Sequence, residues 1–144
     1  MIKMVLIKDG AAKRIEMKKA PGYKEIKKLL GIESPVDVQE RKIGGKLYDV
    51  WLDDEGLLHG EKHSISGITT FSESGKVCEF MVGNLLIANH DEDGNVSSLS
   101  EDDVKNVFGK VNRMAFDCDI EIDYACGTKL SLPEAGKCFL EMEV

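Results

Sequence analysis

Apolar and acidic residues alternate without a break between Phe116 and Tyr124, and this alternation constrains the fold more than any other feature of the chain. Successive side chains of a β-strand point to opposite faces, so a period of two predicts a strand with one buried face and one acidic face. The acidic positions are Asp117, Asp119, Glu121 and Asp123. Their carboxylates would be spaced roughly 7 Å apart along one face, which is twice the rise per strand residue. Such a strand needs neighbouring strands and a core that covers its apolar face.

Other short segments between turn signals are also typical of strands. The segment "IKMVLIK" is followed by an Asp-Gly turn and a returning "KRIEMKK", and Gly44-Gly45 separates two further segments. "GNLLIANH" reads as a buried strand, and "KCFLEMEV" alternates like a half-buried strand. Helical spacing marks "PGYKEIKKLLG" and "SEDDVKNVFGK", and in the second segment Ser100 and Asp103 form a capping-box variant.

These elements predict one α+β domain over residues 1–144, with a mixed or antiparallel sheet and two short helices. Residues 109–144 would form a β-rich extension at the C-terminal side of a core made by residues 1–108. The segment from Leu57 to Phe71 is the least regular of the chain, and we predict that its "HGEKH" stretch is a polar loop.

Charge is distributed unevenly along the chain. The formal net charge is −7, yet residues 1–46 carry 12 Lys and Arg against 6 Asp and Glu, and residues 47–144 carry 7 against 20. The first part alone is typical of a nucleic-acid-binding protein, whereas the second part would repel a phosphate backbone. We therefore expect the two parts to fold together and complement each other, without direct binding of nucleic acid.

The acidic face of residues 117–123 has two interpretations. Its carboxylate spacing resembles that of phosphates along a nucleic-acid strand, so the face could mimic DNA or bind another basic partner. Alternatively, it is a solvated face, or it lies beside the basic strand Arg14–Lys18, where opposite charges stabilise a sheet by roughly 0.2–1 kcal/mol per pair. The candidate partner-binding residues are Asp117, Asp119, Glu121 and Asp123.

The sequence "HGEKH", residues 59–63, holds two of the three histidines. Histidines four positions apart can share a metal ion when both lie on one helix face, but Gly60 between them disfavours a helix. The order His59-Gly-Glu61 occurs in zinc deaminases, which also require a downstream P-C-x-x-C motif that this chain lacks. We predict no metal here, and a ligand-binding role for His59, Glu61 and His63 is the alternative.

No sequence motif predicts catalysis or a cofactor. The chain has no G-x-S-x-G, P-loop or G-x-G-x-x-G motif. Its four cysteines include no close pair, and we interpret them as core thiols. The apolar runs are much shorter than the roughly 20 residues that cross a membrane. These features favour a cytoplasmic protein with no cofactor and no membrane partner.

The segments "MIKMVLIK", "GYKEIKKLLG", "LDDEGLL" and "SESGKVCEFMVGNLLIANHDEDG", the last followed by "SLSEDD", form a familiar pattern. It resembles the bacterial domain-of-unknown-function family numbered thirty-eight forty-six, over about residues 1–108. Family members tend to carry Leu-Pro and Asn-Arg in the middle loop, where this chain has "HGEKHSISGI", so no role of that loop is transferred. The resemblance implies an α+β accessory protein of phages, plasmids or conjugative elements, and it implies no enzymatic activity.

These observations favour a non-enzymatic protein that binds the basic surface of a host protein and inhibits a defence or DNA-processing factor. The alternative is a small-ligand or nucleotide-binding module that uses residues 59–67. The sequence leaves the identity of the partner and the oligomeric state open.

Overall fold

The computed structural model describes residues 1–56, 62–70, 77–113, 121–123, 129–131 and 137–143. This part of the chain contains two helices, α1 (Tyr23–Leu30) and α2 (Glu101–Phe108). The strands are β1 (Ile2–Lys8), β2 (Ala11–Met17), β3 (Val36–Ile43), β4 (Lys46–Asp53), β5 (Lys62–Thr70), β6 (Val77–Val82), β7 (Leu85–His90), β8 (Val96–Ser97), β9 (Val111–Arg113), β10 (Glu121–Asp123), β11 (Lys129–Ser131) and β12 (Cys138–Glu143). They join into one mixed sheet, which confirms the predicted α+β class.

The order of strands separates the two ends of the sheet. Neighbours follow the path β10-β11-β5-β12-β3-β4-β7-β1-β2, with β6 beside β5, β8 beside β7 and β9 beside β12. Strand β5 is parallel to β11 and β12, whereas the pairs on either side of β1 and β4 are antiparallel. The acidic strand β10 and the basic strand β2 therefore stand at opposite ends of this path. For Glu121–Asp123, the interpretation that the acidic strand lies beside Arg14–Lys18 is wrong.

The predicted turns form hairpins. Asp9-Gly10 joins β1 to β2, and Gly44-Gly45 joins β3 to β4 with Ile43 directly opposite Lys46. A two-residue connection fixes the register of every pair that follows it along the hairpin. The cross-strand neighbours of β3 and β4 are therefore set by the position of the two glycines.

Both helices begin and end where the sequence predicts. The Glu25 carboxylate accepts a hydrogen bond from the Gly22 N–H at the start of α1, and Gly31 ends that helix. At the start of α2, the Ser100 hydroxyl accepts from the Asp103 N–H, and the Asp103 carboxylate accepts from the Ser100 N–H. These reciprocal bonds satisfy two N–H groups that a helix start leaves without partners. Neither described helix has the length and apolar character needed to cross a membrane.

The central strands β1, β4 and β7 are buried on both faces. One face packs against α1 in a cluster that includes Met4, Leu6, Ile26, Leu30 and Leu86. The opposite face packs against α2 and β12 in a cluster that includes Val5, Ile7, Val50, Ile87, Val104, Val107, Cys138, Leu140 and Met142. The three side chains from β12 are almost completely buried, which confirms the predicted alternation of this segment. The C-terminal strand thus belongs to the main core.

Lys62 and His63 differ from the prediction of a loop for the "HGEKH" stretch. Residues 62–70 form strand β5, which pairs with β6, β11 and β12. A register shift between Ile65 and Gly67 places Ile65 and Ile68 in the same buried cluster, so the period of two is broken. Gly67 approaches β12 closely, because a Cβ at this position would lie 2.9 Å from the Met142 Cε. The irregular spacing that disguised the strand is therefore caused by a bulge.

The burial of β12 predicts the effect of truncating Leu140, whose side chain is 0% exposed. Leu140→Ala should lower the free energy of unfolding by about 2–5 kcal/mol, because it removes buried apolar atoms and leaves a cavity. The measurement is equilibrium unfolding in urea.

A matched control is Glu141→Ala on the same strand, which loses one hydrogen bond from Asn112 and should cost less than about 1 kcal/mol. If the two variants had equal stability, the placement of β12 in the core would be wrong.

Candidate functional site

The predicted acidic face is only partly described by the structure. Asp117 and Asp119 lie outside the described residues. Glu121 and Asp123 lie on β10, where the register places Asp123 opposite Lys129 of β11. The described acidic positions thus have one lysine as a cross-strand neighbour, and the basic strand β2 stands at the far end of the sheet.

The "HGEKH" segment is also divided. His59 and Glu61 lie outside the described residues, whereas His63 lies on β5 opposite Leu130 of β11. A strand position with sheet neighbours differs from the loop position that the ligand-binding alternative assumed. The ligand-binding role of His59, Glu61 and His63 therefore stays a prediction.

Several basic residues of the front part form ion pairs with acidic residues of the second part of the chain. Arg14 Nη2 and Lys3 Nζ lie 2.5 and 2.8 Å from Glu101 Oε1, and together they lower the pKa of Glu101 to about 2. Arg41 Nε lies 2.5 Å from Glu79 Oε1. Both glutamates belong to the acidic second part of the chain. The two parts therefore complement each other, as the charge distribution predicts.

A buried carboxylate, Asp103, collects four hydrogen bonds at the start of α2. Its Oδ1 accepts from Lys46 Nζ at 2.6 Å and from the Tyr48 hydroxyl at 2.9 Å. Its Oδ2 accepts from the Ser100 N–H at 3.0 Å and from Asn89 Nδ2 at 3.3 Å. Only 7% of the Asp103 side chain is exposed, so the hydrogen bonds replace nearly all of its contact with water. This carboxylate ties α2 to β4 and β7.

The surroundings of Asp103 decide its charge. Burial alone would raise the pKa of Asp103, but the Lys46 ammonium and the hydrogen bonds from Ser100 and Tyr48 outweigh burial and lower this pKa. The same carboxylate raises the pKa of Lys46. Burial is the main reason that the pKa of Tyr48 is also raised. Asp103 is thus ionised, and Tyr48 keeps its proton as a donor, throughout the neutral range.

The tip of the β3–β4 hairpin is fixed to α2 by Asn106. Its Nδ2 donates to the Ile43 carbonyl at 3.0 Å and to the Tyr48 hydroxyl at 2.9 Å. Gly44 has a positive φ of 56°, and the Asn106 amide fills the space that a Cβ at this position would occupy. Glycine is therefore required at the tip for both conformation and space.

A second polar cluster lies on the other face of the same strands, since Tyr48 and Asp49 are adjacent on β4 and point in opposite directions. His90 Nδ1 lies 2.7 Å from Asp49 Oδ2. The Asp49 side chain is 11% exposed and the His90 side chain is 50% exposed. The hairpin register places Glu40 directly opposite Asp49. One ligand atom from each of Glu40, Asp49 and His90 lies within 4.8 Å of the others.

The carboxylates of this cluster favour the protonated, positively charged form of His90. The hydrogen bond to Asp49 is the largest cause of a raised pKa of His90, and the nearby Glu40 and Asp91 carboxylates act in the same direction. A cavity of about 240 Å³ opens at the cluster and is also lined by Lys46 and Tyr48. This end of the sheet therefore combines a carboxylate-bound imidazole with a polar cavity.

The larger cavity bounded by described residues, about 510 Å³, lies beside β3 and β6. Two of its charged groups, Arg41 and Glu79, bind each other. Glu79 Oε1 accepts hydrogen bonds from Arg41 Nε and Thr69 Oγ1, and Arg41 Nη2 donates to Gln39 Oε1 at 2.5 Å. A ligand there would have to compete with these contacts.

The sequence analysis missed the cluster of Glu40, Asp49 and His90, although signals for it were present. Asp49 interrupts the apolar run "LYDVWL", and aspartate is uncommon inside strands. The register that follows from Gly44-Gly45 would have placed Glu40 opposite Asp49. The position of His90 depends on the pairing of β4 with β7, for which no local signal exists.

Comparisons with protein-family models, with curated proteins and with solved structures found no match to this chain. The resemblance to the domain-of-unknown-function family therefore stays a prediction.

The lowered pKa of Asp103 predicts how acid affects stability. The folded state holds this carboxylate ionised below its ordinary pKa of 3.8, so its contribution is complete above that value and is lost as the pH falls. Asp103→Asn should be less stable than the wild type by about 1–3 kcal/mol at pH 7. The difference should narrow progressively below about pH 4. Urea unfolding at several pH values measures both quantities.

Asp102→Asn is the matched control, because Asp102 is an exposed neighbour in the same helical turn. At neutral pH, Asp102→Asn should lower the free energy of unfolding by less than Asp103→Asn does. A gap between wild type and Asp103→Asn that stayed constant from pH 5 to pH 2 would contradict the lowered pKa.

Proposed function

We propose that this protein is a non-enzymatic accessory protein of a phage or other mobile element. It binds the basic surface of a host protein through the acidic face of residues 117–123, and it inhibits a defence or DNA-processing factor in this way. The mobile-element setting follows from the family resemblance, and the mode of binding follows from charge.

The observation that carries the proposal is the position of β10 relative to the basic strand β2. These two strands stand at opposite ends of the path of paired strands, although the sheet curves so that the Cys138 N–H of β12 donates to the Gly10 carbonyl between β1 and β2 at 2.7 Å. Four basic residues of the front part, Lys3, Arg14, Arg41 and Lys46, form ion pairs with Glu101, Glu79 and Asp103. Pairing with the basic strand β2 therefore does not account for the acidic strand β10, and this supports a role in binding.

The net charge of the chain also supports binding to a basic partner. The chain carries a formal net charge of −7, and several of the acidic groups in its second part are already used in internal pairs. A surplus of carboxylates steers association toward basic partners and repels nucleic acid. A protein that binds DNA presents a basic surface, which is why we propose a DNA-processing or defence factor as the partner.

The proposal predicts the effect of reversing the acidic face. A variant with Asp117→Lys, Asp119→Lys, Glu121→Lys and Asp123→Lys should capture the host partner at least about tenfold more weakly than the wild type, because like charges now meet. The measurement is pull-down from a host lysate followed by quantification of the captured protein. Salt and double-stranded DNA should each release the captured protein from the wild type.

The control variant carries the same number of reversals at exposed acidic positions elsewhere: Glu33→Lys, Asp54→Lys, Glu92→Lys and Asp93→Lys. It should retain the partner, and circular dichroism should show that both variants fold. Equal capture by the acidic-face variant and the wild type would end the proposal. An equal loss in both variants would assign binding to net charge rather than to this face, and it would also overturn the proposal.

A further inference from the structure

Glu40, Asp49 and His90 come from three neighbouring strands and meet at one place. Asp49 lies on β4, Glu40 lies opposite it on β3, and His90 lies at the end of β7. One ligand atom from each residue lies within 4.8 Å of the other two. The residues are separated by up to fifty positions in sequence, so only the pairing of β3, β4 and β7 brings them together.

Stability alone does not account for this arrangement. Like charges directly opposite each other in a sheet are destabilising, and here one of the two carboxylates is mostly buried. Within the described part of the chain, no lysine or arginine forms an ion pair with Glu40 or Asp49, and the Asp49 carboxylate is within hydrogen-bonding distance of His90 Nδ1. An added positive charge between the two carboxylates would remove their repulsion.

The ligand types indicate which cation fits. Imidazole nitrogen favours zinc and its neighbouring transition metals, whereas Mg²⁺ and Ca²⁺ prefer ligand sets made only of oxygen. Two ligand atoms on a tetrahedral zinc ion lie about 3.3 Å apart, given metal–ligand bonds of about 2.0–2.2 Å. The Glu40 side chain is exposed and the His90 ring is half exposed, so both can make the small rotations that this geometry needs.

We propose that Glu40, Asp49 and His90 bind one divalent transition-metal ion of the zinc class. The ion takes the place of the proton shared by His90 Nδ1 and Asp49 Oδ2, and that proton is released to solvent. Three protein ligands leave at least one coordination position for water, which faces the cavity lined by Lys46 and Tyr48. None of its three residues belongs to the "HGEKH" segment or to the acidic strand β10.

Titration of the full-length, thiol-reduced protein with Zn²⁺ in the presence of excess Mg²⁺ tests the site. Isothermal titration calorimetry should show one equivalent of Zn²⁺ bound per chain. Glu40→Gln should weaken binding at least about tenfold, since even the loss of groups that only orient ligands costs that much. Glu40 is exposed, so this variant keeps its fold, and His90→Gln should have a similar effect.

Two controls separate this site from other ligands in the chain. The double variant His59→Ala, His63→Ala should bind Zn²⁺ as tightly as the wild type. The Co²⁺-loaded protein should show ligand-field bands without thiolate-to-metal charge transfer, because no cysteine belongs to the site. The proposal is overturned if no stoichiometric Zn²⁺ binds, if Glu40→Gln and His90→Gln bind it normally, if the double variant loses it, or if thiolate charge transfer appears.

Discussion

Burial of both faces of the central strands is the constraint on which the rest of the structure depends. Strands β1, β4 and β7 supply apolar side chains to two separate clusters, so each face needs its own cover. Helix α1 covers one face, and α2 with β12 covers the other. Because β12 must reach the core, the acidic second part of the chain is held against the basic first part. The charge complementarity of the two parts is a consequence of this packing.

Polar groups concentrate where the central strands emerge from the core. On one face, Asp103 binds the Lys46 ammonium and the N-terminal end of α2. On the other face, Asp49, His90 and Glu40 lie close together. The two clusters differ in how completely their charges are matched. Asp103 is compensated by a lysine and by three further donors, whereas the carboxylates of Glu40 and Asp49 share one histidine. The contacts of Asp103 therefore stabilise the fold, whereas the negative charge of Glu40 and Asp49 is only partly compensated by His90.

Local signals in the sequence predict much of the fold. The two-residue turns, the capping box at Ser100 and the alternation of β12 depend on neighbouring residues, and all three are confirmed. Strand β5 was missed because its bulge breaks the alternation that identifies strands. The cluster at His90 was missed because its residues meet only after β4 and β7 pair. A turn predicts which residues lie opposite each other in the two strands that it joins. It does not predict their pairing with a third strand.

The parallel pairing of β12 with β5 has a consequence for how the protein forms. Met142 stands opposite Thr69, so the two partners are separated by about 70 residues of chain. Contacts between such distant segments slow folding, because the entropy cost of closing a long loop comes before the contacts can form. During synthesis, the α2-side face of β1 and β7 therefore lacks the part of its cover that β12 supplies until β12 has left the ribosome. The nascent chain is open to chaperones, and to self-association, for most of its translation.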